Sequence, residues 1–347
     1  MTLRTAVVKA HRWMGLIVAS LWLLQALTGI FAVFHWEIDD ALTPGAHRKT
    51  DLAAIERSMS GFAPHSIWAT AGAPDRYDVN VAGHVIRVDG AGRILRVRRD
   101  DERLAHGGIV TTLVVLHQSL LAGDRGRSII GASGVLLLSN MMLGLIAAWP
   151  RPRQWKRTLR PSHSGSRLGA LYSWHRASGL WIAAPAFLLI AAGVLLAFDN
   201  VTERLLQAAP EEPSARPSRH HPPIGMAEAT QWALARYPGA TVSGIGYPTL
   251  DNAVWTITLK QSEELQRAYG RTRVLISAVD GGVVSDFNAL DAPPARRFLN
   301  LLFPFHTGEV GGLPGRVAVL GIGGWLIAVV LLGFALFFTR RRRRAER

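Results

Sequence analysis

Four runs in this 347-residue chain, 16–34, 129–149, 180–198 and 317–338, contain no Lys, Arg, Asp or Glu. About 20 apolar residues suffice for one helix to cross a bilayer. Four such runs rarely share one soluble domain, so the chain is expected to be an α-helical membrane protein with four crossings. Composition agrees: 18% of the residues are charged, against about 25% in a typical soluble domain. The first run, with Arg4 and Lys9 ahead of it, has the layout of a signal peptide. Its apolar core is too long for one and no Ala-x-Ala-like cleavage site follows, so it reads as an anchor.

The positive charges orient the crossings. Residues 1–13 carry three Lys/Arg and no acid, the loop 151–176 carries seven and no acid, and the tail after Phe338 carries six against one Glu. Segment 36–128 balances twelve basic against twelve acidic residues, and segment 199–315 has ten against twelve. Basic excess marks the cytoplasmic side. Both termini are therefore expected inside a bacterial-type inner membrane, with two periplasmic segments outside. The plan is a first membrane helix within 1–35, an outer segment 36–128, a second helix 129–149, and a cytoplasmic loop 150–179. A third helix 180–198, a second outer segment 199–315, and a fourth helix with a basic tail over 316–347 complete it. The net charge of +14 is thus a membrane feature: the arginine run 340–344 faces anionic lipid, and no nucleic-acid partner is expected. With no cysteine in the chain, disulfides, thiolate metal sites, cysteine-held iron–sulfur clusters and covalent c-type haem are excluded.

An internal duplication organises the rest. His11-Arg12-Trp13-Met14-Gly15-Leu16 is matched by His175-Arg176-Ala177-Ser178-Gly179-Leu180. Each histidine stands 18 residues before a glycine, Gly29 or Gly193, and 23 before a phenylalanine, Phe34 or Phe198. A second motif repeats too: His117 and His306 each precede a Gly-Arg pair, Gly126-Arg127 and Gly315-Arg316, by nine and ten residues. Each also stands 27 before a helix glycine, Gly144 or Gly333. Both halves begin on the same side, so they read as parallel repeats about an axis along the membrane normal. The outer segments repeat more loosely. Each has a short helix candidate, 52–59 or 226–236, and alternating strands at 77–81 and 255–259. Glycine turns follow at Asp89-Gly90 and Asp280-Gly281-Gly282. Two small α+β units are expected, with 210–223 as a Pro/Ser-rich linker and 109–121 lying along the outer interface.

The order of these motifs, at 11–16, 116–127, 175–180 and 306–316, resembles the PepSY-associated transmembrane family, which includes iron-regulated membrane proteins and siderophore reductases. The resemblance implies a four-helix membrane core with two PepSY-like periplasmic domains. It also implies b-type haem that reduces ferric siderophores outside the inner membrane.

Non-covalent haem needs axial donors on both sides of a planar ring, and neutral imidazole is the usual one. The duplication supplies two symmetry-related couples, His11 with His175 near the inner face and His117 with His306 near the outer face. Two haem b groups are expected there, and ionisable groups at membrane depth are usually functional. Arg12, Arg176, Arg127 and Arg316 are placed to pair with haem propionates or, equally well, to anchor on lipid phosphate. Gly15, Gly29, Gly179 and Gly193 either let the macrocycle approach the helix backbone or serve as plain packing residues. His35 closes the first helix and competes for a place in the outer couple, although its counterpart is Asp199. His163 reads as a solvated loop residue, and His220 and His221 as exposed linker residues. Twenty-three residues of helix span about 35 Å, a long gap that Trp22 and Trp181 would bridge.

Three functions follow. The first is a membrane haem reductase that delivers an electron to a ferric siderophore; its own donor is a quinol or a cytoplasmic reductase, since no GxGxxG or P-loop is present. The second is a membrane-anchored periplasmic binding or sensory module without redox activity. The third, a transporter, is weakened by the lack of any acid inside the four helices. Trp68, Trp232, Tyr247 and Trp255 read as core residues at strand or helix spacing.

Overall fold

The computed structural model describes residues 2–162, 166–208, 224–249 and 252–346. His163 and the linker 210–223, with His220 and His221, lie outside the described residues. In chain order the helices are α1 (Leu3–Ala32), α2 (His35–Ala41), α3 (Leu52–Met59), α4 (Gly108–Ser119), α5 (Gly123–Ala148), α6 (Trp155–Thr158), α7 (Arg167–Ala197), α8 (Asp199–Leu205), α9 (Met226–Arg236), α10 (Pro294–His306) and α11 (Gly312–Ala345). The strands are β1 (Ser66–Ala69), β2 (Arg76–Val81), β3 (His84–Asp89), β4 (Ile94–Arg99), β5 (Thr241–Gly246), β6 (Val254–Lys260), β7 (Thr272–Ser277) and β8 (Val283–Phe287). These elements form two units. One comprises Met1–Val33, Leu113–Thr202 and Phe305–Arg347; the other comprises Phe34–Thr112 and Glu203–Pro304.

The first unit is a bundle of the four long apolar helices α1, α5, α7 and α11, each long enough to cross a membrane. The protein is a multi-pass membrane protein. The helices begin before the uncharged runs do, α1 at Leu3 rather than 16 and α7 at Arg167 rather than 180. Both histidine motifs therefore lie inside helix. Local chemistry accounts for this: the Thr2 and Ser166 hydroxyls accept from the backbone N–H of Thr5 and Gly169, capping each first turn. The Arg4 and Arg167 stems in those turns can reach out of the lipid. At the other end of the chain, arginines fill the last turn of α11, where cations oppose the negative end of the helix dipole. Helix α1 packs on α5 and α11, and α7 packs on the same two. Hence α1 stands opposite α7, and α5 opposite α11.

The second unit is built on one antiparallel sheet in the order β4-β3-β2-β1-β5-β6-β7-β8. The expected helices 52–59 and 226–236 are α3 and α9, and the expected strands lie within β2 and β6. Instead of standing as two separate sheets, the two segments join where β1 pairs with β5, in the register Ser66↔Gly246, Ile67↔Ile245, Trp68↔Gly244. The reason is burial. One face of the joined sheet pools Ile67, Val79, Ile86, Val88, Ile245, Ile257, Val274 and Ile276 into a single apolar cluster under α3 and α9. One helix also caps the other: the Glu56 carboxylate of α3 accepts from the N–H of Met226 at the start of α9, at 2.9 and 3.1 Å.

Beside this core runs a chain of charge. Arg87, 4% exposed, is held by Asp78 and Asp39, and Asp39 also takes both Nη atoms of Arg96 at 2.7 Å. Arg76, 3% exposed, reaches Asp40 and the carbonyls of Thr43 and Gly45. These bonds fix α2 to strands β2, β3 and β4. Burial raises the Asp39 carboxyl pKa, but the Arg96 hydrogen bonds and the charges of Arg87 and Arg96 outweigh it, so the net pKa falls below the ordinary value.

Candidate functional site

Two pairs of histidines meet inside the helical unit. His11 of α1 and His175 of α7 have ring centroids 6.1 Å apart. His117, near the end of α4, and His306, the last residue of α10, are 6.3 Å apart with ring planes 26° from parallel. Each pair joins one residue from 1–128 with one from 167–306.

Every one of the four rings is held in the same way. His11 Nδ1 lies 3.0 Å from the Asn140 carbonyl, His117 Nδ1 3.1 Å from that of Gln25, His175 Nδ1 3.1 Å from that of Val329, and His306 Nδ1 2.9 Å from that of Leu189. A carbonyl can only accept, so Nδ1 carries the proton in all four and Nε2 keeps its lone pair. Among the described residues no Nε2 has a hydrogen-bond partner. An imidazole held through one nitrogen with the other free is the usual arrangement of a metal-ligating histidine.

The glycines at repeated spacing explain how the rings fit. A Cβ on Gly29 would fall 2.8 Å from His117 Cε1, on Gly144 2.9 Å from His11 Cε1, and on Gly193 2.7 Å from His306 Cε1; on Gly333 the distance to His175 Cε1 is a comfortable 3.5 Å. Each carbonyl acceptor lies four residues before its glycine (140 and 144, 25 and 29, 329 and 333, 189 and 193), which is one helical turn. Each histidine therefore covers a glycine and bonds to the turn before it. Along α1, His11 and Gly29 are 18 residues apart, five full turns, so they share one face and lie about 27 Å apart; His175 and Gly193 repeat this on α7.

The other site expectations resolve individually. Gly29 and Gly193 are seats for histidine rings; Gly15 lies near the Asn140 amide, and a Cβ on Gly179 would meet nothing within 4 Å. Arg176 gives Nε and Nη2 to the Ala148 carbonyl at the end of α5, and Arg316 gives the same two atoms to Val33 just past α1. Both arginines thus tie up helix C-termini, and Arg127 makes an exposed ion pair with Asp199. Arg12 differs, because its buried Nε has no partner among the described residues. The His35 ring packs against that of its neighbour Trp36, with centroids 4.4 Å apart and planes tilted by 38°, while His117 pairs with His306. Trp22 is buried on α1 and donates Nε1 to the Ser133 carbonyl, whereas Trp181 is 41% exposed.

Thr28, Gln25 and Asn140 went unmarked in the sequence. Asn140 Oδ1 and Gln25 Nε2 are buried without a partner among the described residues. Both belong to residues whose carbonyls hold a histidine. Unsatisfied polar atoms at this depth are costly and point to an additional partner.

The donor set limits what such a site can hold. Among the described residues no group of three or more His, Asp or Glu side chains is placed to bind a metal. Two imidazoles flanking one metal at about 2 Å each, with half a ring added on either side, stand about 6 Å apart between ring centres. Both pairs have that spacing.

Fold and site together define a four-helix membrane protein with two tethered, opposed histidine pairs. The chain belongs to the family described as the PepSY-associated TM region, which matches residues 8–341. No curated protein matches it.

Proposed function

We propose that each histidine pair holds one b-type haem and that the protein is an inner-membrane oxidoreductase that reduces ferric siderophores in the periplasm and releases Fe(II). The observation that carries this reading is the tethering of all four imidazoles through Nδ1, which leaves four lone pairs in two couples at 6.1 and 6.3 Å. A haem that takes its protein ligands from a pair of imidazoles would fit such couples, and bound there it would supply one-electron carriage. The carbonyls of Gln25, Asn140, Leu189 and Val329 fix the tautomers and raise ligand basicity. The glycine seats set how close each ring lies to its neighbouring helix. Arg12, with its buried Nε free of other partners among the described residues, is the guanidinium available to a haem propionate.

The charge asymmetry supports cytoplasmic termini. With four crossings, segments 34–112 and 203–304 then share the periplasmic side. Siderophores hold Fe(III) by hard oxygen donors and Fe(II) far more weakly, so one electron frees the metal. That electron comes from a quinol or a cytoplasmic reductase.

Visible spectra of the purified protein, oxidised and then reduced, test the reading. The wild type is expected to show low-spin b-type bands for two haems. His11→Ala and His175→Ala should remove one component, and His117→Ala and His306→Ala the other. A protein that stays colourless after production with ample haem would overturn the redox reading in favour of an anchored binding module. Normal spectra in all four variants would overturn the ligand assignment.

A further inference from the structure

We propose that Thr28 is a positioning residue that acts through His117 and lowers the reduction potential of the group held by the His117–His306 pair. This rests on the haem reading above. The support is a hydrogen-bond arrangement found at one histidine and missing at the other three. The Thr28 hydroxyl has one proton, and the shortest contact for it is the Leu24 carbonyl at 2.7 Å, with the Gln25 carbonyl at 3.3 Å. Its lone pairs remain, and His117 Nδ1 lies 3.3 Å away. Because Nδ1 already faces the Gln25 carbonyl at 3.1 Å, it is the donor, and Thr28 Oγ1 is a second acceptor for the same proton.

The equivalent positions, one residue before each seat glycine, are Ala192, Leu143 and Leu332, none of which can accept. His306, His11 and His175 therefore each have a single carbonyl partner. Thr28 is 4% exposed, so water does not weaken the contact. A second acceptor draws the Nδ1 proton further from the ring and gives the imidazole more anionic character. That strengthens Nε2 as a donor and favours the ferric state of a ligated iron. A lower potential suits an electron donor whose target is Fe(III) held by hard oxygens.

The test is a spectroscopic redox titration of the full chain in detergent. Thr28→Val keeps the branched shape and removes the acceptor. It is expected to raise one of the two midpoint potentials and leave the other in place. The component that moves should be the one missing from His306→Ala. Thr28→Ser, which restores a hydroxyl, should return the potential to the wild-type value, and ferric-state EPR should report a weaker axial field for Val than for Ser. Unmoved potentials, equal movement of both, or Ser behaving like Val would each overturn the role of Thr28 while leaving the haem assignment intact. A colourless wild type would instead remove the haem reading, and this inference with it. If Thr28→Val fails to assemble, the Thr28→Ala and Thr28→Ser pair carries the same comparison.

Discussion

In the helical unit, each half of the chain builds two half-sites and completes neither alone. His11 sits on Gly144 and His117 on Gly29, all within the first half, while His175 sits on Gly333 and His306 on Gly193 within the second. Only when the halves meet do the rings pair at 6.1 and 6.3 Å. The sheet unit joins its halves differently. There they meet edge to edge at β1 and β5 and share one apolar core, and the polar chemistry is unequal. The chain from Asp39 and Asp40 to Arg76, Arg87 and Arg96 lies wholly in the first segment. Identical chemistry thus recurs where two equivalent half-sites face each other. Where the sole demand is a closed core, what recurs is an alternation of apolar residues.

The seat glycines give the strongest way to break that comparison. At Gly193 the space for a side chain is already filled by His306, and at Gly333 it is not. Gly193→Val should displace the ring and remove about half of the b-type absorbance, whereas Gly333→Ala should retain both components. Equal losses in the two variants would show that the seats do not position the histidines.

Much of the helical unit is legible in the sequence, because its constraints are local and periodic. The uncharged runs mark the lipid, and the 18-residue spacing puts His11 and Gly29, like His175 and Gly193, on one helix face five turns apart. The histidine couples follow from the same spacings. What each glycine contacts does not, since Gly29 could equally face a flat ligand or a ring until α4 is placed beside α1. The arginines were ambiguous for a related reason: Arg176 and Arg316 find helix C-termini far away in sequence. The β1–β5 seam was hidden as well. Trp68 and Gly244 lie 176 positions apart, and no alternation within either strand states its partner.

Within the sheet unit the largest expected effect falls on Asp39. Its carboxylate neutralises Arg87 and Arg96 at 4% and 12% exposure. Removing one partner of a buried pair leaves the other charge uncompensated, at a cost of about 3–5 kcal/mol. Asp39→Ala should accelerate hydrogen exchange in β2, β3 and β4 accordingly, and leave β7 and β8 much less affected. Unchanged exchange in β3 would mean that the charge network does not hold this half. The seam comes next. A Cβ on Gly244 would fall 2.5 Å from the Trp68 ring, and overpacking of this sort costs about 1–3 kcal/mol. Gly244→Ala is expected to raise exchange most in β1 and β5; an effect spread evenly over all eight strands would show that the halves do not separate there.

The smallest effect is a dependence on pH. The Asp39 carboxyl has its folded pKa lowered below the ordinary value of 3.8, because its hydrogen bonds and the charges of Arg87 and Arg96 outweigh desolvation. A group depressed in this way binds protons more readily in the unfolded chain. Its contribution is fully present above the unfolded pKa and drains away as pH falls through the folded one. In Asp39→Asn no carboxyl remains to titrate. The stability gap between wild type and variant, read from exchange in β3, should therefore stay constant from neutral pH down to about pH 5 and then narrow. The narrowing is limited to about 1.4 kcal/mol per pH unit for one group. A gap that stayed constant down to pH 3 would show that the arginines gain nothing from this charge.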